Sequence, residues 1–170
     1  GVFYPPGQTN DLSGNTVVVP ASHMILRTIA RSDDQSFPWF APAGTRRGLV
    51  DNANAIGFIN SATGEFQVDN VRESLRDTLY SNRVNPITFF NGVGLMNYGQ
   101  KTRAATTSAL DRINVARLAN YLRSQLQATA LGFVFEPNDK ITRDELKEQV
   151  EQIMNDLVAK RGIYDYLVVC

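Results

Sequence analysis

Few side chains in this sequence have the types and spacing that chemistry requires. His23 is the only histidine and Cys170 the only cysteine, so a Cys/His dyad is the one nucleophile and base pair these two residues offer. His23 falls in an apolar-rich helical stretch with no neighbour that would make it a base, which points to a satisfied structural or surface role. Cys170 ends an apolar, strand-like run with nothing local to draw it toward thiolate, so a buried and inert thiol is expected. Gly92-Val93-Gly94 lies in a hairpin rather than between a strand and a helix, and no Lys-Ser/Thr follows it as in a phosphate loop. The Asp51 to Glu65 stretch is acidic and Asn-rich but misses calcium-loop spacing: counted from Asn52, the fifth position is Ile56 and the twelfth is Thr63. Asp33-Asp34 and Glu136/Asp139 are carboxylate pairs whose commoner roles are loop solvation and helix ends. No catalytic, cofactor-binding or metal-ligating set is expected.

Composition narrows the class further. With 170 residues, 43% hydrophobic and 20% charged, the chain suits one globular domain with a real core. Lys plus Arg and Asp plus Glu both number 17, giving zero formal net charge; without a long basic block, nucleic acid is not an expected partner. No apolar run approaches the roughly 20 residues that span a bilayer, so membrane insertion is not expected. The last residues, Tyr164 to Cys170, read as a strand with no turn or polar tail after it, which suggests a longer polypeptide.

The elements are organised around Asn85 to Arg117. Ile87-Thr88-Phe89-Phe90 is apolar and β-prone, Asn91-Gly92 supplies the two positive-φ positions of a type I′ turn, and Val93 to Tyr98 returns as the second strand. Pro86 belongs at a strand start or on an edge, while Gly94 and Gly99 suggest a bulge or close backbone approach. Upstream, residues 1 to 16 read as an exposed lead-in, Val17-Val18-Val19 as a short strand, and Pro20 onward as the first turn of a helix ending near Asp33-Asp34. Phe37 to Gly44 is an ordered loop with aromatic anchors, and residues 46 to 64 are turns around a brief apolar segment at Ile56 to Ile59. Asp69 is the expected N-cap of a helix that carries Val71, Leu75 and Leu79 on one face and ends near Asn82.

After the hairpin, Ser108 is the expected cap of a core helix, with Asp111 in its first turn and an apolar stripe of Val115, Leu118, Ala119, Leu122, Leu126 and Ala130. Phe133 to Phe135 reads as a strand, and Thr142 with Glu145 as the capping box of a helix carrying Leu146, Val150, Ile153, Met154, Leu157 and Val158. That helix closes with Lys160-Arg161 and Gly162 in the αL position, before the strand at 164 to 170. The fold class is therefore α/β, mixed α+β: a mixed β-sheet with a hairpin flanked by amphipathic helices.

Four segments in shared order resemble the sheath proteins of contractile phage tails. They are Val17-Val18-Val19-Pro20-Ala21-Ser22 through Ala30-Arg31-Ser32-Asp33, followed by Pro38 to Gly44 and Arg47-Gly48; Leu79-Tyr80 with Val84-Asn85-Pro86-Ile87; Tyr98 to Thr102 with Ser108 to Leu118; and Phe133 to Asp139, Thr142-Arg143 and Arg161 to Cys170. The resemblance implies a sheath inner region. Residues 1–84 would end a subtilisin-like-fold portion and 85–170 form a C-terminal sheath domain, with terminal arms and outer domains lying outside the sequence. It implies a structural subunit, not an enzyme, without cofactors. That subunit polymerises with itself as stacked six-membered rings around a tail tube protein, meets baseplate and tail terminator proteins, and contracts to drive the tube through the host envelope. Assembly in the host cytoplasm and residence in the virion follow. Trp39 would anchor the Pro-rich loop, while Asn85, Pro86, Asn91, Gly92 and Asp111 would shape the hairpin and its exit. Arg112, Asn114 and Arg117 would fix the hairpin-to-helix junction, and Lys147 and Glu151 would lie on a tube-facing helix. The sheath of a tailocin or type VI-like secretion system, a generic oligomerising module and an α/β hydrolase with an unrecognised site are the competing readings.

Overall fold

Strand β6 (Val84–Phe90) is the spine of its sheet, with Asn85, Pro86, Ile87 and Thr88 all buried. The computed structural model describes residues 1–170 and divides into two compact units, Gly1–Val115 and Ala116–Cys170. In the first, β1 (Val2–Tyr4) pairs parallel to β6 and β7 (Gly94–Asn97) pairs antiparallel, giving the sheet order β1-β6-β7. A second sheet has the order β3-β2-β4-β5, formed by β2 (Gly7–Asn10), β3 (Thr16–Val19), β4 (Ala55–Ile59) and β5 (Phe66–Val68). Residues 1 to 16 are thus no lead-in: they supply two strands, one in each sheet.

Helix α1 (Ala21–Gln35) runs from Pro20, which stands at its N-cap rather than in its first turn. Met24 and Ile25 on its inner face join Val50, Ile56, Val71, Ile87 and Leu95 in the core. Outside, the Asp51 carboxylate accepts from Arg27 Nε at 2.8 Å and Arg31 Nη1 at 3.0 Å. The Arg27 hydrogen bond is the main cause that holds the Asp51 carboxyl below its ordinary range. After the aromatic loop comes a single helical turn, α2 (Gly44–Arg47).

Helix α3 spans Glu73–Ser81, with Arg72 and not Asp69 at its N-cap. Asp69 Oδ1 instead accepts from Val71 N–H at 3.0 Å, a local turn of the kind that short polar side chains make. Val71 holds φ of 53° while only 2% exposed, an uncommon conformation for a β-branched residue. Thr88 Oγ1 secures it from β6, lying 2.9 Å from the Asn70 carbonyl and 3.1 Å from that of Val71.

The hairpin forms where expected but with a different turn. Phe90 pairs with Gly94, so Asn91–Val93 make a three-residue loop closed by Val93 N–H to the Phe90 carbonyl at 3.1 Å. Gly92 (φ 78°) and Gly94 (φ 105°) take positive φ and Asn91 does not, which corrects the two-residue type I′ reading. Pro86 lies inside the central strand, neither at its start nor on an edge. It stands one residue beyond the β6–β7 register and still accepts Tyr98 N–H at 2.9 Å.

The chain after the hairpin is mainly helical. Ser108 caps only a short 3-10 turn at Ala109–Asp111; extended Arg112 breaks it, and α4 runs Ile113–Leu131. Among its residues only Ile113 is buried, so the stripe from Val115 to Ala130 is not the core. Phe133 to Phe135 is a turn with Phe135 fully exposed, not a strand. Helix α5 (Lys140–Ala159) is capped by Asp139, whose carboxylate accepts Thr142 N–H at 2.9 Å, in place of the expected capping box. At its other end Arg161 (φ 62°), not Gly162, takes the left-handed position, while Gly162 N–H closes on the Leu157 carbonyl at 2.7 Å. Residues 164–170 are not a strand, and Cys170 is exposed.

Candidate functional site

Asn85 stands where β1, β6 and the crossover toward α4 meet, and it is fully buried. A buried primary amide must find partners for both its donor and its acceptor. Nδ2 donates to the Val2 carbonyl at 3.0 Å and the Lys101 carbonyl at 2.9 Å, and Oδ1 accepts from Lys101 N–H at 2.6 Å. The Asn85 side chain therefore behaves as an extra peptide group, pairing both backbone groups of Lys101 as a neighbouring strand would. On the opposite side Lys101 bridges Arg112, flanked by Thr102 N–H to the Asp111 carbonyl at 2.8 Å and Ile113 N–H to the Gln100 carbonyl at 2.7 Å. The backbone entering α4 is thus tied to β6 through one side chain.

Such close approach needs Gly99. A Cβ there would stand 2.7 Å from Asn85 Oδ1 and 2.9 Å from Asn85 Cα, distances that real Cβ atoms do not sustain. Asn97, also fully buried, donates from Nδ2 to the Pro42 carbonyl at 2.7 Å and so holds the Pro-rich loop. In that loop Trp39 is 5% exposed and stacks on Phe37 with ring centroids 4.9 Å apart. Asn114 Nδ2 donates to the Trp39 carbonyl at 3.3 Å, joining the loop to the first turn of α4.

Cations from the crossover close the C-terminal end of α3. Lys101 Nζ donates to the Tyr80 carbonyl at 2.8 Å and sits 3.8 Å from the Tyr80 ring centroid. Arg103 Nη1 donates to the Asn82 carbonyl at 3.4 Å, while Arg83, just past α3, donates the other way from Nη2 to the Ala105 carbonyl at 3.0 Å. Positive groups are favourable at this end, where helix carbonyls lack internal partners. Arg112 Nη1 donates to Tyr80 Oη at 2.7 Å while its Nε pairs with Asp111 Oδ1 at 3.2 Å.

Of the residues singled out from sequence, Trp39, Asn85, Pro86, Asp111, Arg112 and Asn114 lie around this junction. Asn91 and Gly92 sit beyond the far end of β6, at the hairpin tip. Arg117, Lys147 and Glu151 belong to the second unit, where Lys147 Nζ and Glu151 Oε1 form an i,i+4 pair at 3.7 Å. Sequence reasoning gave no role to Tyr80, Asn97 or Lys101. Gly99 alone carried a usable signal, as a glycine flagged for close backbone approach.

The junction joins backbone to backbone through amides and cations and sets no nucleophile beside a base. His23 is exposed on α1, and no cluster of three or more His, Cys, Asp or Glu side chains is placed to hold a metal. No helix is long and apolar enough to cross a membrane. In the second unit an open groove of about 720 Å³ runs between α4 and α5, lined by Tyr121, Gln125, Glu145, Glu148 and Asp156 among others.

The mixed α+β chain has a fold similar to part of contractile sheath structures. It superimposes on the helical sheath of the anti-feeding prophage in its contracted state with a TM-score of 0.76 and 19% identity, over 94% of this chain and 40% of that one. Residues 105–170 match the phage tail sheath C-terminal domain. The tail sheath protein of Vibrio phage KVP40 is 36% identical over 152 residues, 89% of this chain and 21% of that protein; the tail sheath protein of Enterobacteria phage T4 is 34% identical over the same shares. Most of the chain is thus similar to part of phage tail sheath proteins. It spans about a fifth of the length of these relatives.

Proposed function

We propose that this chain is part of a structural subunit of a contractile tail sheath, which polymerises around a tail tube and shortens to drive it through the host envelope. Kinship over most of the chain with tail sheath proteins is the observation that carries the reading. The second unit adds physical support. Only Leu157 is fully buried there, while Leu131, Phe135, Ile141, Tyr164, Leu167 and Val169 are each more than two-thirds exposed. So much apolar surface on so small a unit suits a subunit completed by its neighbours.

In this reading the partners are further copies in stacked six-membered rings, the tube protein, and the baseplate and terminator proteins at the two ends. Assembly takes place in the host cytoplasm. Residues 85–170 would carry the C-terminal sheath domain; because β1 hydrogen-bonds β6, residues 1–84 fold together with its start. The junction gives this work a rigid base, since hydrogen-bonded backbone survives rigid-body rotation between subunits. We assign the charged face of α5 with Lys147 and Glu151 to the tube.

Electron microscopy of the full-length sheath protein, alone and with its tube protein, tests the proposal. Tubes or stacked rings, extended when the tube is present, are expected; a soluble monomer under both conditions would overturn it. For the α5 face, Lys147→Glu together with Glu151→Lys keeps the internal ion pair while inverting its field. Tube-dependent assembly should fail in that variant, and unchanged assembly would remove α5 from the tube interface.

A further inference from the structure

Asn91 is the only asparagine in the sequence that is followed by glycine. Both residues are exposed at the tip of the β6–β7 hairpin. The Asn91 side chain makes no hydrogen bond, and the loop is closed instead by the next amide, Val93 N–H to the Phe90 carbonyl. Around Gly92 there is open space: a Cβ built there would meet nothing within 4 Å. Several other asparagines are held. Asn15 donates to Asp11, Asn60 accepts from Ala62 N–H and Asn138 accepts from Arg143, while Asn85 and Asn97 are fully buried.

We propose that Asn91-Gly92 is a site of spontaneous deamidation, the one backbone position in this chain built to rearrange. The unhindered Gly92 amide nitrogen, losing its proton to hydroxide, attacks Asn91 Cγ. The new N–Cγ bond closes a five-membered imide, the Cγ–Nδ2 bond breaks, and nitrogen leaves as ammonia. Water then opens the ring. Cleavage of the new bond gives aspartate, and cleavage of the original peptide bond gives isoaspartate, with one methylene more in the backbone. Overall one water enters and one ammonia departs, with no oxidation.

The product carries a carboxylate where the chain had a neutral amide, so the formal net charge moves from zero to one negative charge. An added methylene also lengthens the Asn91–Val93 loop. Both changes fall at the tip, outside the Phe90–Gly94 pair, and the buried residues Ile87, Thr88, Leu95 and Met96 keep their register.

The test ages the intact folded chain in mildly alkaline buffer and then digests it with trypsin. Cleavage after Arg83 and Lys101 releases Val84 to Lys101, a peptide that contains Asn85, Asn91 and Asn97 and so carries its own controls. The exchange of amide for acid should appear at Asn91 alone, with isoaspartate the major product. Its rate in the folded chain should lie within a factor of about ten of that in the free synthetic peptide, because no opening step is required. Asn91→Gln should abolish it and retain the fold by circular dichroism. Modification at Asn97 in preference to Asn91, or a folded-chain rate a hundredfold or more below the peptide's, would overturn the proposal.

Discussion

Replacing Asn85 with alanine tests the claim that one side chain completes the backbone at the junction. The substitution removes three hydrogen bonds, two donated by Nδ2 and one accepted by Oδ1. A net contribution of about 1 kcal/mol for each, raised because the Lys101 N–H and carbonyl lose their side-chain partner, gives a loss of about 3 to 4 kcal/mol. Trp39 is the only tryptophan and, like Asn85, lies in the first unit. Its fluorescence during urea unfolding therefore reports the right transition whatever the second unit does. Asn85→Asp separates pairing from volume. The new carboxylate still accepts from Lys101 N–H but faces the carbonyls of Val2 and Lys101 without a proton to give. Those oxygens raise its folded-state pKa above the unfolded value of about 3.9. A raised carboxyl pKa favours folding fully below the unfolded value and loses that contribution as pH rises through the folded one. This variant should thus gain stability on mild acidification relative to Asn85→Ala. If Asn85→Ala lies within about 0.5 kcal/mol of the parent, the range of a typical surface change, the peptide-mimic reading is wrong.

Three further outcomes follow from the geometry. Gly99→Ala should destabilise the first unit by about 1 to 3 kcal/mol, because its Cβ meets backbone as well as the Asn85 side chain and neither can retreat; chemical denaturation measures it. Asp51 has its carboxyl lowered chiefly by the Arg27 hydrogen bond, so its contribution is present above the ordinary carboxylate pKa of 3.8 and is lost as pH falls through the folded value. Asp51→Asn should remove that acid dependence, at a cost below about 1 kcal/mol near neutrality because the pair is solvent-screened. Asp139→Ala should fray the start of α5, seen as faster amide exchange at Thr142 with little change at Leu157; unchanged exchange at Thr142 would deny the cap its role.

Elements whose cause is local were legible in the sequence. The hairpin, α1, α3, α4 and α5 each carry a periodicity or a turn that needs no distant partner. Their ends were less so, because several polar residues compete for each cap. Asp139 precedes Thr142 and wins, while Asp69 spends its carboxylate on the turn at Val71 and leaves the start of α3 to Arg72.

What escaped the sequence has a different cause. Residues 2–4 form a strand because β6, some 80 residues later, lies beside them. Residues 164–170 have stronger strand composition and form none, because no strand lies beside them in the chain. Strand propensity measures fit to a pleated neighbour rather than a preference of the segment itself, so it misjudges both ends of this chain in opposite directions. The α4 stripe teaches the same lesson for burial: spacing shows that six apolar residues share a face, but the partner for that face is not written in the spacing. Asn85 carries the argument to the junction. Asparagine is a poor strand former, and in β6 its unfavourable propensity is outweighed by three hydrogen bonds to Val2 and Lys101, neither of which its sequence neighbours reveal.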